Sequence, residues 1–102
     1  MPTEIRLHPD AEQELRNANL WYAERNATVA ESFVAEVDHA IGVIGENPVR
    51  WPKLTKSVRR YVFPRFPFSL VYRVKPTYVE VIAIAHQKKH PGYWQQRLSS
   101  AI

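Results

Sequence analysis

The sequence predicts an α+β protein in which an antiparallel helical hairpin packs on a three- to four-stranded antiparallel sheet. Apolar residues recur at helical spacing through residues 10–44 and then change to strands rich in Val, Ile, Tyr and Phe through residues 57–86. The connections between these segments are short, so the order β-α-α-β-β-β predicts one layer of helices on one layer of sheet. A chain of 102 residues is expected to form a single domain, residues 1–102.

The first strand and both helices fall in the first half of the chain. Residues 4–7 alternate polar and apolar and predict a short N-terminal strand that His8 and Pro9 end. Residues 10–25 predict a helix, and the capping-box sequence Thr28-Val29-Ala30-Glu31 predicts that a second helix begins at Thr28. Gly45 and Asn47-Pro48 end that helix. Two amphipathic helices with so short a link predict a hairpin. The acids of both helices are expected to form a solvated face, with a favourable Glu12–Arg16 pair; the others are Glu14, Glu31, Glu36 and Asp38.

Three strands follow, at residues 57–63, 68–75 and 78–86, and turn residues separate them. The last strand is apolar on both faces. Its alternation places Val79, Val81, Ala83 and Ala85 on one face and Tyr78, Ile82 and Ile84 on the other. Such a strand belongs in the middle of a sheet that is covered on both sides. Residues 93–98 predict a short C-terminal helical turn, in which Trp94 plugs the edge of the sheet.

The charge of the chain is divided between its halves. From Arg50 onward there are eleven Lys or Arg and one acid, Glu80, whereas before Arg50 there are three against nine acids. The net charge of +4 therefore conceals a basic sheet and an acidic hairpin. Positive charge interleaved with aromatic residues is typical of a surface that binds phosphate groups or an acidic protein segment. The alternative is a solvated sheet face.

Several classes of function are excluded or disfavoured. The chain has no cysteine, which excludes disulfides and thiolate chemistry, and it has no Gly-rich phosphate loop or nucleophile elbow. His86 and His90 have a metal-binding spacing, but Pro91 follows and no carboxylate is near in sequence, so no metal and no cofactor is expected. Without a signal peptide or an apolar run of about 20 residues, the protein is expected in the cytoplasm with no membrane partner.

The basic half contains the candidate chemistry. An arginine inside a strand has to reach solvent or an anion, since burying it unpaired costs several kcal/mol. Arg59 shares a side of its strand with Tyr61, and Arg60 lies on the opposite side. His86 ends the last strand, where an imidazole could transfer protons near neutral pH. The alternative is a structural, hydrogen-bonded histidine.

Four segments together resemble the RelE/ParE superfamily of type II toxins: residues 59–63, 66–72, 79–86 and 91–97. The most specific parts are Phe-Pro-Phe-x-Leu-x-Tyr at 66–72 and Ala-His-x-Lys-x-x-Pro-x-Tyr-Trp-x-x-Arg at 85–97. The resemblance covers essentially the whole chain. It implies a small cytoplasmic bacterial toxin that inhibits growth, stabilises plasmids and is neutralised by a cognate antitoxin. It also implies that the complex of toxin and antitoxin represses its own operon and can form a higher-order assembly.

The superfamily has two activities. RelE-like toxins cleave mRNA on the ribosome, and ParE-like toxins block DNA gyrase. By resemblance to the nuclease branch, the catalytic candidates are Arg60, Arg73, His86 and Tyr93. The candidates for binding the target or RNA are Lys53, Lys56, Arg59, Arg65, Lys88, Lys89 and Arg97.

An acid/base set for cleavage is incomplete, because Glu80 lies mid-strand and His86 has no evident carboxylate partner. We therefore favour ParE-like inhibition of gyrase. The alternative is a RelE-like, metal-independent and ribosome-dependent endoribonuclease. A further alternative is a non-toxic nucleic-acid-binding module, against which the absence of a recognition helix weighs.

Overall fold

The computed structural model describes residues 2–99 and confirms the predicted α+β architecture. Its helices and strands follow the predicted order and end in a short 3₁₀ helix. They are β1 (Ile5–Leu7), α1 (Pro9–Ala23), α2 (Ala27–Glu46), β2 (Arg59–Val62), β3 (Phe68–Val74), β4 (Val79–His86) and the 3₁₀ helix (Gln95–Ser99). No helix within residues 2–99 is long and apolar enough to cross a membrane.

The sheet is mixed rather than wholly antiparallel. Its strand order is β1-β4-β3-β2, and β1 pairs with β4 in parallel, with Ile5 opposite Val79. The pairs β2–β3 and β3–β4 are antiparallel, as expected for a meander. Three residues of alternating polarity predict a strand but carry no information about its direction. Helix α1 begins directly after β1 and packs on β4, the strand with which β1 pairs.

Strand β4 occupies a central position, and a bulge changes which of its side chains share a face. Val71 pairs with Ala83 and Tyr72 with Val81, so Ile82 is the extra residue on β4. Ile82 and Ala83 consequently belong to the same apolar cluster, while Ile84 joins Val81 beneath the helices. The strict alternation expected for this strand is therefore wrong beyond Ile82.

Apolar residues cover the sheet on both faces, as the composition of β4 predicted. On the helical face, Phe33 and Ile44 of α2 pack with Leu70 and Tyr72 of β3. On the opposite face a smaller cluster is closed by Trp94, which is buried. It also contains Val58, Val71, Ile82 and Ala83. The C-terminal segment thus acts as the second layer over the sheet.

The second helix begins at Ala27, one residue before the predicted capping box, and its N-cap lies two residues before that box. Asn26 is the N-cap: its side-chain oxygen accepts hydrogen bonds from the backbone N–H groups of Thr28 (3.0 Å) and Val29 (3.2 Å). Asn is as good an N-cap as Ser or Thr, and its extended backbone here places the amide oxygen over the first turn. Thr28 lies inside that turn, so the prediction that it caps the helix is wrong.

Candidate functional site

A groove of about 410 Å³ opens on the face of the sheet opposite the helices. It lies between the loop before β2 and the loop after β4. Its apolar surface includes Val71, Ala85 and Trp94, and we call it the cationic groove after Arg60 and Lys89, which line it together with His86 and His90. No Asp or Glu of residues 2–99 lines it. The groove is therefore suited to a negatively charged partner.

Arg60 projects from β2 into this groove. Its side chain is exposed, and this side chain makes no hydrogen bond or ion pair with any other residue of the described range 2–99. Its backbone N–H donates to the carbonyl of Pro52 at 3.1 Å, which fixes the strand beside the loop that forms one wall. A guanidinium without an acceptor among residues 2–99 is available for bidentate binding of a carboxylate or phosphate.

Arg73 does not line the cationic groove. Its Nε donates to Oε1 of Glu80 at 2.6 Å, and the two residues lie opposite each other in the β3–β4 ladder. The Glu80 side chain is 1% exposed and that of Arg73 is 16% exposed. The single acid of the basic half thus neutralises an arginine inside the sheet.

His86 lines the groove but also has a structural contact. Its Nδ1 accepts the backbone N–H of Lys88 at 3.1 Å, and its ring packs edge-on against Phe68 with a centroid distance of 5.0 Å. The hydrogen bond fixes the start of the loop that follows β4. It leaves Nε2 as the ring nitrogen that can contact a ligand. Within residues 2–99, no three His, Asp or Glu side chains are grouped as a metal site requires.

Tyr93 and Arg97 are held by an acid from the first helix. Glu14 accepts a hydrogen bond from the Tyr93 hydroxyl at 2.6 Å and from two nitrogens of Arg97 at 2.9 Å each. Its Oε1 also accepts the backbone N–H of Ile84 at 3.1 Å. Burial raises the pKa of Tyr93 strongly, and the hydrogen bond to Glu14 raises it further. The phenol is thus a neutral donor that ties the C-terminal segment to α1.

Two further arginines serve the fold. Arg59 donates to the carbonyls of Val49 (3.0 Å) and Trp51 (2.7 Å), which fastens the crossover from the hairpin to β2. Arg65 donates from Nε to the buried carboxylate of Glu36 at 3.0 Å. By contrast, the lysines of the predicted surface are exposed, and their side chains make no hydrogen bond or ion pair within the described part of the chain. They are Lys53, Lys56, Lys88 and Lys89.

The expectation of a solvated acidic face holds for Glu12, which pairs with Arg16 at 2.7 Å, but is wrong for Glu14 and Glu36. The spacing contains a signal that distinguishes them. Glu14 follows Ala11 by three residues and precedes Ala18 by four, and Glu36 stands in the same relation to Phe33 and Ala40. Both acids therefore border the apolar stripe of their helix and face the sheet.

Comparisons with known proteins agree with this architecture. The sequence model of one protein family, described as "ParE toxin of type II toxin-antitoxin system, parDE", matches residues 5–91. Among solved structures, a chain of the chromosomal ParDE toxin-antitoxin system from P. aeruginosa superposes with a TM-score of 0.72 at 18% sequence identity. That alignment covers 82% of this chain and 95% of the other. A comparison with curated protein sequences found no match.

Proposed function

The chain belongs to the ParE toxin family of type II toxin-antitoxin systems, and on this basis we propose that it inhibits DNA gyrase by binding, with no chemistry of its own. A cognate antitoxin neutralises it in the cytoplasm. Growth inhibition and plasmid stabilisation follow from this activity, because cells that lose the antitoxin are left with an active toxin.

This proposal rests on the hydrogen bonds that tie the side chains of Arg73 and Tyr93 to other parts of the fold. Cleavage of RNA by its own 2′-hydroxyl requires cations that stabilise the negative charge of the phosphorane and side chains that transfer protons. Arg73 is paired with Glu80 inside the sheet, and the hydroxyl of Tyr93 is bonded to Glu14. The raised pKa of Tyr93 also makes it a poor proton donor at neutral pH. Two of the four catalytic candidates are thus committed to the fold, which favours binding over catalysis.

The exposed cations supply the binding surface for the target. Arg60 and Lys89 line the cationic groove, and the side chains of Lys53, Lys56 and Lys88 are exposed without acidic partners in residues 2–99. Complementary charge accelerates association and selects the partner more than it adds affinity. We therefore assign these residues to an acidic surface of gyrase and expect the inhibition to weaken as salt is raised.

One observation favours the RelE-like alternative. Arg60 and His86 line the same groove, so an arginine and a histidine could meet one phosphodiester. In that mechanism the 2′-hydroxyl loses its proton and attacks the adjacent phosphorus, and the bond from phosphorus to the 5′-oxygen of the next nucleotide breaks to leave a 2′,3′-cyclic phosphate. Arg60 stabilises the developing charge, and His86 transfers a proton to the departing 5′-oxygen.

Pulse-labelling of DNA and protein synthesis after induction of the toxin, without antitoxin, separates these functions. Gyrase inhibition predicts that DNA synthesis falls first and DNA breaks accumulate while translation continues. Early arrest of translation with truncated transcripts would instead establish the ribosomal endoribonuclease. If neither synthesis changes, the protein is a non-toxic binding module, and the proposed function is wrong.

A further inference from the structure

A small pocket of about 250 Å³ lies at the outer edge of the sheet, where β2 is the last strand. We call it the edge pocket. It adjoins the cationic groove, because Leu54 and Arg60 line both of them. Arg60 is therefore a shared wall between a strongly polar site and a smaller site whose other lining is mostly apolar. The residues that line the edge pocket are Trp51, Pro52, Lys53, Leu54, Arg60 and Val62.

Two aliphatic side chains of the edge pocket remain in contact with solvent. Val62, at the end of β2, is 60% exposed and Leu54 is 40% exposed, whereas the neighbouring Tyr61 is buried on the helical face of the sheet. A single exposed aliphatic residue is ordinary and needs no explanation. Two that line the same concavity beside an arginine are typical of an interaction site.

Hydrogen bonds and ring packing hold the walls of the edge pocket in place. The backbone N–H of Arg60 donates to the carbonyl of Pro52 at 3.1 Å, and the side chain of Arg59 donates to the carbonyl of Trp51 at 2.7 Å. The indole of Trp51 also packs edge-on against the ring of Tyr61, with a centroid distance of 5.4 Å. Because these walls are already ordered, a partner that fills the pocket loses little affinity to the ordering of the protein.

The charge of the edge pocket favours an acidic partner. Lys53 and Arg60 line it, no Asp or Glu of residues 2–99 does, and the side chains of both cations lack an ion pair within that range. Attraction between charges acts at a distance and discriminates little among acidic proteins. An apolar side chain that fills a shaped pocket adds affinity that depends on fit and is not screened by salt. The pocket is therefore complementary to a carboxylate with an apolar side chain beside it.

We propose that the edge pocket determines which acidic protein the toxin inhibits. A segment of gyrase places a carboxylate on Arg60 and inserts an adjacent aliphatic or aromatic side chain between Leu54 and Val62. The identity of gyrase in this assignment rests on the proposed function. The exposed cations then control the rate of association, and the edge pocket controls how slowly the complex dissociates.

Binding of the full chain to immobilised gyrase, followed by surface plasmon resonance at low and high salt, tests this division. The pocket variant combines Leu54→Thr with Val62→Thr, which removes apolar lining and keeps a β-branched residue in β2. The control variant combines Val49→Thr with Val74→Thr, because these valines are 61% and 44% exposed but line neither the edge pocket nor the cationic groove. All four side chains are exposed, so both variants are expected to fold, and circular dichroism checks this.

The pocket variant is expected to dissociate from gyrase about tenfold faster than the wild type, or more, at both salt concentrations, as for an interface anchor. The control variant is expected to stay within about twofold of the wild type. Equal dissociation rates in all three proteins would overturn the role of the edge pocket and leave gyrase inhibition standing, because the wild type still binds. A loss in the pocket variant that disappears at high salt would also overturn it. A wild type that does not bind gyrase would overturn both proposals.

The same variants test two other occupants of the edge pocket. A toxin dimer in sedimentation that the pocket variant dissociates would assign the pocket to a second copy of this chain. A pocket variant that inhibits gyrase like the wild type but escapes neutralisation on co-expression with the antitoxin would assign it to the antitoxin. Either result would overturn the assignment to gyrase. A monomeric wild type, and a pocket variant whose inhibition of supercoiling falls as its dissociation rate rises, would support that assignment.

Discussion

The carboxylate of Glu14 on helix α1 lies 2.9 Å from both terminal nitrogens of Arg97, 83 residues further along the chain. This two-pronged ion pair joins the hairpin to the C-terminal segment that covers the second face of the sheet. Because the Arg97 side chain is only 11% exposed, neither partner is well solvated if the other is removed. The pair therefore positions the loop that forms one wall of the cationic groove.

Glu14→Ala is expected to lower the free energy of unfolding by about 3–5 kcal/mol, since it leaves Arg97 buried without its main counterion. Urea denaturation followed by circular dichroism measures the change. Glu12→Ala is the matched control: its pair with Arg16 is exposed on the same helix, so the expected loss is less than about 0.5 kcal/mol. Equal losses in the two variants would show that Glu14 contributes no more than a surface charge.

Arg73 is expected to act in stability rather than in catalysis. Removing one partner of its buried pair with Glu80, as in Arg73→Ala, is expected to cost about 3–5 kcal/mol, whereas the double apolar variant Arg73→Met with Glu80→Leu is expected to be near neutral. Thermal and urea unfolding measure both. A stable double variant that retains toxicity would support this role. Loss of toxicity in a fully folded double variant would contradict this role and show that Arg73 belongs to the functional site.

The raised pKa of Tyr93 predicts an alkaline limit to stability. Burial and the hydrogen bond to Glu14 make the folded protein hold the phenolic proton more tightly than the unfolded chain does. The stabilisation from this group is thus complete below the ordinary tyrosine pKa of about 10 and is lost as the pH rises through the raised value in the fold. Tyr93→Phe is expected to be less stable than the wild type by about 1 kcal/mol at pH 7. The difference should narrow above pH 10, and a constant difference from pH 7 to pH 11 would contradict the shift.

Arg60 is expected to contribute directly to the affinity for gyrase. Arg60→Glu replaces one cation of the cationic groove with a charge of the wrong sign, so the inhibitory concentration should rise about tenfold or more at low salt. Arg16→Glu makes the same charge change on the hairpin and is expected to leave inhibition unchanged. Supercoiling assays at two salt concentrations measure both. If the two substitutions have the same effect, net charge and not the groove determines inhibition.

Much of the fold was predictable because its signals are local. Helical and strand periodicity identified every helix and strand of the described range, and the apolar character of β4 placed it in the middle of a covered sheet. The parallel pairing of β1 was not predictable, because three residues do not specify a strand's direction. The bulge at Ile82 was missed for a similar reason, since alternation alone does not reveal an inserted residue.

The candidate site was harder to predict because its ion pairs join distant parts of the chain. Charge counting indicated that one acid could not neutralise eleven cations, but Glu14 and Glu36 of the hairpin reach across to Arg97 and Arg65. The sequence alone does not indicate which residues pair across such long distances along the chain. Arg60 and the exposed lysines have no ion pair within residues 2–99, and they are the part of the predicted basic face that remains available to a partner.

Inhibition of purified gyrase by the His86→Ala variant tests most directly whether the toxin acts by binding. Binding energy is spread over several cations, so the variant is expected to inhibit DNA supercoiling within a few-fold of the wild type, and neither protein should cleave mRNA on programmed ribosomes. General acid–base catalysis typically contributes about 10²–10⁴-fold. Ribosome-dependent cleavage by the wild type that falls by this factor in His86→Ala, with no inhibition of gyrase, would contradict the binding mechanism.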